Sequence, residues 1–86
     1  MENKILNSII ENYPDEEILK ADGFDNAIIG IETNTMRLVY DKSKMIEILM
    51  DNDGMEYSDA IEHLEYNTFC AYVGERTPIY IETFLK

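Results

Sequence analysis

Residues that interrupt regular secondary structure divide this chain of 86 residues into short segments. Pro14 disfavours helical geometry in the residue before it, so a helix that precedes it has to end there. Gly54 and Gly74 are typical of the residue that follows a helix, where a left-handed conformation is needed. Pro78 lacks the N–H group that an interior strand position would use. These positions predict several short helices and strands within one small domain, residues 1–86.

Hydrophobic periodicity predicts the type of each segment in the first half of the chain. Apolar residues in 2–13 recur with helical spacing, and the acids at 15–17 ahead of Ile18 favour a short helical turn over 15–19. Apolar and β-branched residues predict strands over 27–32 and 36–40, with turn residues between them. The two strands therefore form a β-hairpin, in which Gly30 marks a bulge or a close backbone approach.

The second half of the chain predicts two helices and one strand. The first of these helices begins with Asp41 or Ser43 as its N-cap and ends near Asp51. The second runs from about 56 to 72. Alternation over 79–82 predicts a half-buried strand, and Pro78 before it is consistent with an edge strand or with a first strand position. The resulting order is α-β-β-α-α-β. This order defines an α+β domain with a small, mainly antiparallel three-stranded sheet and about three helices.

The tyrosines differ in predicted exposure. Tyr13, Tyr57 and Tyr72 fall on the apolar sectors of the predicted helices and are expected to face the core. By their phase, Tyr66 and Tyr80 are expected to be exposed. An exposed tyrosine beside acidic residues makes a good interface anchor, because it combines an apolar ring with a polar tip.

The balance of charge restricts the classes of partner. Eighteen acids against seven bases give a net charge of −11. The bases form no patch, which disfavours direct binding of DNA or RNA, anionic lipid or nucleotides. A positively charged partner is favoured, because opposite potentials steer association.

The sequence also indicates a location. One cysteine cannot form an intramolecular disulfide. No apolar run approaches the length of a membrane span, and the first residues lack the features of a signal peptide. A cytoplasmic location and no membrane partner are therefore expected.

Residues 51–62 resemble a calcium-binding loop but do not match its pattern at every required position. With Asp51 at the first loop position, Asp53 falls at the third and Glu62 at the twelfth, as an EF-hand requires. However, Met55 occupies the fifth position, and Glu56 occupies the sixth, where glycine is needed. A bound calcium ion is not predicted.

A line of polar residues on the third predicted helix comprises Asp59, His63, Tyr66 and Cys70. His63 and Cys70 are separated by about 10 Å along a helix, which is too far for one metal ion or for a nucleophile pair. The line is either solvent exposed or a second contact face, covered by the sheet or by another subunit. With no glycine-rich phosphate loop and one histidine, no cofactor, metal site or catalytic residue is predicted, and the protein is not expected to be an enzyme.

The strongest functional signal is a run of acids without a base in residues 51–66. On a continuous helix these 16 residues span about 24 Å, which gives one charge per about 4 Å. A single DNA strand carries one charge per about 3.4 Å, so the segment could occupy the nucleic-acid channel of a basic protein. The alternative is a solvated face that keeps the protein soluble. The predicted partner-binding residues are Asp53, Glu56, Asp59, Glu62, Glu65 and Tyr66.

Three stretches carry a resemblance to a known group of proteins: residues 21–30 (ADGFDNAIIG), 37–41 (RLVYD) and 72–79 (YVGERTPI). In this order they resemble short uncharacterised acidic proteins of bacteriophages and prophages. The resemblance covers residues 20–80 and implies a bacterial host cytoplasm, with no site residues to carry over. Small acidic phage proteins include anti-CRISPR proteins and DNA mimics that inhibit nucleic-acid-handling host proteins.

Two functions are therefore expected from the sequence. The first is a phage-type inhibitor that acts by protein–protein interaction, with its acidic helical face on a host nucleic-acid-binding or defence protein. The alternative is a structural or regulatory phage protein, a homo-oligomer with an apolar interface and no mimicry of nucleic acid.

Overall fold

A computed structural model describes residues 4–84. Its helices and strands are α1 (Lys4–Asn12), β1 (Ile28–Glu32), β2 (Arg37–Asp41), α2 (Lys42–Asp53), α3 (Tyr57–Leu64) and β3 (Ile79–Ile81). A short 3₁₀ turn, Asp25–Ala27, precedes β1, and a π-helical segment, Glu65–Phe69, continues α3. The predicted α+β class and element order are confirmed. Residues 2 and 3 of the first predicted helix lie outside the described residues.

The sheet has β2 at its centre, with β1 antiparallel on one side and β3 parallel on the other. The predicted hairpin is therefore present, and the third strand adds a parallel pair after a crossover through two helices, so the sheet is mixed where a mainly antiparallel one was expected. The register between β1 and β2 shifts between Ile28 and Gly30, which confirms the irregularity predicted at Gly30. Pro78 immediately precedes β3, which is an edge strand as expected.

The core forms where α1, α2 and α3 meet the sheet. The side chain of Tyr40 is fully buried in the central strand, and its hydroxyl accepts a hydrogen bond of 2.8 Å from the Ala21 N–H. Burial raises the pKa of Tyr40 to about 12. The core residues are Leu6, Ile9, Phe24, Ala27, Ile28, Leu38, Tyr40, Met45, Leu49, Ala60 and Leu64.

Local signals correctly placed both ends of α2. The Asp41 carboxylate accepts a hydrogen bond of 2.9 Å from the Ser43 N–H and caps the helix. Gly54 follows the last turn with φ of 70°, and its N–H donates to the Leu49 carbonyl. A left-handed residue there costs glycine little, because it has no Cβ.

Two helix predictions were wrong. Residues 15–19 form no helix. The Glu16 side chain instead forms an ion pair of 3.0 Å with Arg76, and Ile18 packs against the core. The third predicted helix was expected to reach Tyr72, but α3 ends at Leu64 and the π-helical segment ends at Phe69. Tertiary contacts favour these endings, since Phe69 packs against Tyr80 with ring centroids 5.1 Å apart.

The turn of the hairpin is closed by the carboxylate of Glu32. It accepts a hydrogen bond of 2.5 Å from the Thr35 hydroxyl, and bonds of 2.9 and 2.8 Å from the N–H groups of Asn34 and Thr35. These hydrogen bonds, that of the Thr35 hydroxyl foremost, lower the pKa of Glu32 below its ordinary value of 4.5. The charged carboxylate therefore stabilises the turn.

We expect Glu32→Gln to reduce the loss of unfolding free energy that occurs as the solution becomes acidic. Because the pKa of Glu32 is lower in the folded chain, its contribution is present above pH 4.5 and is lost as the pH falls through the folded value. Urea unfolding at pH 7 and at about pH 3 should show a smaller loss of unfolding free energy for the variant than for the wild type. Equal losses in the two proteins would contradict this role of Glu32.

Candidate partner-binding site

The acids of residues 51–66 lie at the corner between α2 and α3. We call this set the acidic corner: Asp51, Asp53, Glu56, Asp59, Glu62 and Glu65. All six side chains are exposed. Gly54 interrupts the helix, as predicted, so the charge spacing estimated for a continuous helix does not apply to the folded chain. The charges are therefore divided between two helices and do not form a regular row.

The corner combines one helix end with the start of another. Asp51 and Asp53 lie in the last turn of α2, where the partial negative charge of the helix disfavours a carboxylate by about 0.3–1 kcal/mol. Glu56 is the N-cap of α3, and Asp59 lies in the first turn of α3, where a carboxylate is favourable. The corner thus carries negative charge even where the local fold opposes it.

The acidic corner has no compensating cations within residues 4–84. The ion pairs in this part of the chain join Lys20 with Asp25, Lys44 with Glu47, and Arg76 with Glu16. None of them involves an acid of the corner. The negative potential of the corner is therefore directed at solvent and is available to a partner.

Tyr66 extends the acidic corner with an aromatic ring. Its side chain is 82% exposed, as predicted. Asp59, Glu62 and Tyr66 follow one another at intervals of three and four residues, which places them on one side of the helical segment. The Asn67 amide nitrogen donates a hydrogen bond of 3.0 Å to the His63 carbonyl at the junction of α3 and the π-helical segment. The predicted anchor is therefore exposed beside the acids it was expected to accompany.

Three tyrosine predictions were wrong. Tyr57 and Tyr72 were expected to face the core, but they are 60% and 77% exposed. Tyr57 lies at the very start of α3, and Tyr72 lies beyond the end of the helix. Tyr80 was expected to be exposed, but its ring packs between Tyr40 and Phe69, and burial raises its pKa. Tyr13, by contrast, packs against the core as predicted.

The polar line on the third helix is solvent exposed. The side chains of Asp59, His63, Tyr66 and Cys70 are all exposed, so the sheet does not cover them. Throughout residues 4–84, no three Asp, Glu, His or Cys side chains lie where they could hold a metal ion. The polar line thus adds exposed surface to the acidic corner without forming a metal cluster in the described chain.

An open groove of about 590 Å³ lies beside the acidic corner, between α2, α3 and the segment after β3. Apolar side chains of Ile46, Ile61 and Phe69 line it, and the Lys42 ammonium lies 4.9 Å from the centroid of the Phe69 ring. Glu65 belongs to both the groove and the acidic corner. The sequence did not indicate this groove, because its lining comes from segments that meet only in the folded chain.

Comparison with known proteins leaves the site to be interpreted from its own chemistry. No family model matches the chain, and no curated protein or solved structure matches it either. Within residues 4–84, no helix combines the length and the apolar character needed to span a bilayer.

Proposed function

We propose that this protein is a phage-type inhibitor that acts by protein–protein interaction in a bacterial host cell. Its acidic corner docks on a basic surface of a nucleic-acid-binding or defence protein and competes there with nucleic acid, in the manner of anti-CRISPR and DNA-mimic proteins. The observation that supports this proposal most is the absence of ion pairs, among the described residues, at six exposed carboxylates. A basic partner would supply the missing counter-charge.

The position of two of these acids favours binding over solubility as their role. A solubilising charge works anywhere on the surface, but Asp51 and Asp53 lie at the end of α2, where the helix dipole opposes them. Charges kept at an unfavourable position are more readily explained by a partner that requires them.

The shape of the acidic corner also restricts the partner. Gly54 divides the acidic corner between two helices, so its acids suit a compact basic site better than a long straight channel. Exposed carboxylates steer a basic partner into contact, and the exposed ring of Tyr66 offers an anchor after contact. We therefore favour a compact basic nucleic-acid site as the target.

The proposed function is tested by competition between this protein and nucleic acid. The immobilised protein is used to capture nucleic-acid-binding proteins from a bacterial lysate, and a purified captured protein is then titrated with a DNA or RNA oligonucleotide that it binds. We expect this protein to displace the oligonucleotide, with an affinity that falls steeply as salt rises. A captured protein that binds the oligonucleotide equally well in the complex would contradict the proposal.

A homo-oligomer with an apolar interface is the second candidate. The observation in its favour is a set of large apolar side chains that are mostly exposed: Tyr57, Tyr66, Tyr72, Val73 and Phe84. Such side chains are typical of interface anchors. Light scattering over a range of concentrations distinguishes the two functions: a dimer at every concentration, without affinity for any basic protein, would favour the oligomer.

A further inference from the structure

We propose that the groove beside the acidic corner receives an apolar side chain of the partner that is flanked by lysine or arginine. This inference rests on the proposed function, and it defines a second chemical feature of the same partner. The acidic corner would select for basic residues, and the groove would select for an apolar anchor next to them.

The groove is large enough to receive a side chain, and part of its lining is apolar. Its volume of about 590 Å³ falls within the range of about 300–1,000 Å³ that is usual for small-molecule sites. Ile46, Ile61 and Phe69 supply an apolar surface, and all three are only partly buried. An inserted leucine or phenylalanine would remove this surface from water, which favours binding.

Exposed aromatic rings stand at the margin of the groove. Tyr57 at the start of α3 and Phe84 after β3 line the groove and are 60% and 84% exposed. Aromatic side chains that become buried on association contribute strongly to affinity. The two rings are therefore placed to close over an inserted side chain.

The charges of the groove indicate a basic rather than an acidic neighbour for that side chain. Glu65 and Glu82 line the groove, and neither forms an ion pair within residues 4–84. Lys42 also lines the groove and lies over the Phe69 ring, so the charged lining residues, two carboxylates and one ammonium, leave the groove with a net charge of −1. A lysine or arginine beside the apolar anchor would meet these two free carboxylates.

The same charges argue against a second copy of this chain as the occupant. Each copy carries a net charge of −11, so that two copies repel one another at long range. A two-fold contact through this groove would also bring Glu65 and Glu82 of both copies to one interface. A basic segment of another protein would be attracted rather than repelled, and it would bring no further carboxylates to the groove.

The experiment uses Cys70, which lines the groove and is the only cysteine of the chain. One sample carries a small methylthio group on Cys70, and the other carries a bulky fluorescein maleimide. Each is titrated by calorimetry with a short synthetic peptide in which phenylalanine is flanked by lysines, and with a matched peptide in which serine replaces that phenylalanine.

We expect the methylthio protein to bind the phenylalanine peptide at least tenfold more tightly than the serine peptide. The bulky label should abolish this preference, because it fills the groove, while both peptides keep their weak electrostatic binding. Phe84→Ser should also reduce the preference without disturbing the fold, since Phe84 is 84% exposed. Equal affinities for the two peptides, or a preference that survives the bulky label, would overturn the inference.

Other outcomes separate this inference from the proposed function. If Asp59→Lys with Glu62→Lys weakens both peptides equally and no phenylalanine preference exists, the acidic corner stands and the groove proposal fails. If the preference exists but those substitutions leave binding of a nucleic-acid-binding partner unchanged, the proposed function fails instead. A dimer of the unlabelled protein that the phenylalanine peptide dissociates would make a second copy the occupant, and would also overturn the inference.

Discussion

Replacing Tyr40 by alanine is expected to lower the free energy of unfolding by about 3–5 kcal/mol, the usual cost of removing a large buried aromatic side chain. The Tyr40 side chain is fully buried in the central strand. Its ring packs against Tyr80 with centroids 5.6 Å apart, so alanine would leave a cavity that its neighbours fill only in part. A domain of this size is stable by about 5–15 kcal/mol, so the variant should be close to unfolding at 37 °C. Urea unfolding at 25 °C measures the loss.

Tyr40→Phe separates the ring from its hydroxyl. This variant keeps the packing but removes the acceptor of the 2.8 Å hydrogen bond from the Ala21 N–H. We expect a smaller loss of about 1 kcal/mol, because this N–H is only partly buried and water can reach it in part. A loss for Tyr40→Phe as large as that for Tyr40→Ala would show that the hydroxyl, and not the ring, dominates.

Reversing the charges of Asp59 and Glu62 is expected to abolish binding to the basic partner. Asp59→Lys with Glu62→Lys changes the net charge by +4 and places two cations on the acidic corner, where they repel the partner. Both side chains are exposed, so the core should remain intact. Affinity is measured by calorimetry at low salt, with thermal unfolding of the free variant to confirm that it is folded. Unchanged affinity in the double variant would contradict the docking of this corner.

A matched control separates position from net charge. Glu11→Lys with Glu75→Lys makes the same change of +4, but both residues are exposed and lie outside residues 51–66, Glu11 in α1 and Glu75 before β3. We expect this control to keep most of the affinity and to slow association only modestly. If the two double variants weaken binding equally, total charge and not the corner governs the interaction.

Asp53→Asn tests whether binding and stability are opposed at the end of α2. Removal of this charge relieves the unfavourable interaction with the helix dipole and should stabilise the fold by about 0.3–1 kcal/mol. The same substitution should weaken the partner complex. A variant that is more stable and binds as tightly as the wild type would place Asp53 outside the interface.

Much of the fold could be predicted because its signals are local. Pro14, the cap at Asp41 and the glycine at position 54 act within a few residues of themselves, and each ended or began a helix close to where it was expected. Alternation of apolar residues likewise located the hairpin and the last strand. Exposure of the five acidic partner-binding residues also followed, since carboxylates are rarely buried without a partner, and that of Tyr66 followed from its phase on the helix.

The sequence could not predict what depends on contacts between distant segments. The end of α3 involves Phe69 packing on Tyr80, eleven positions away in sequence and in a different element. Because the helix ends earlier than predicted, Tyr72 lies outside it. The burial of Tyr80 depends on its contact with Tyr40 in the adjacent strand. The groove has the same origin, because α2, α3 and the segment after β3 meet only in the folded chain.

The sequence by itself therefore determined the α+β class, the order of the elements and the location of the uncompensated acids. Short-range sterics, capping and charge decide these properties, and they are encoded residue by residue. Only the tertiary structure decided how the two helices that carry the acids pack, which tyrosines remain exposed, and that a partly apolar groove adjoins Glu65. These properties depend on how helices pack against the sheet, and such packing is set by the whole core rather than by any one segment.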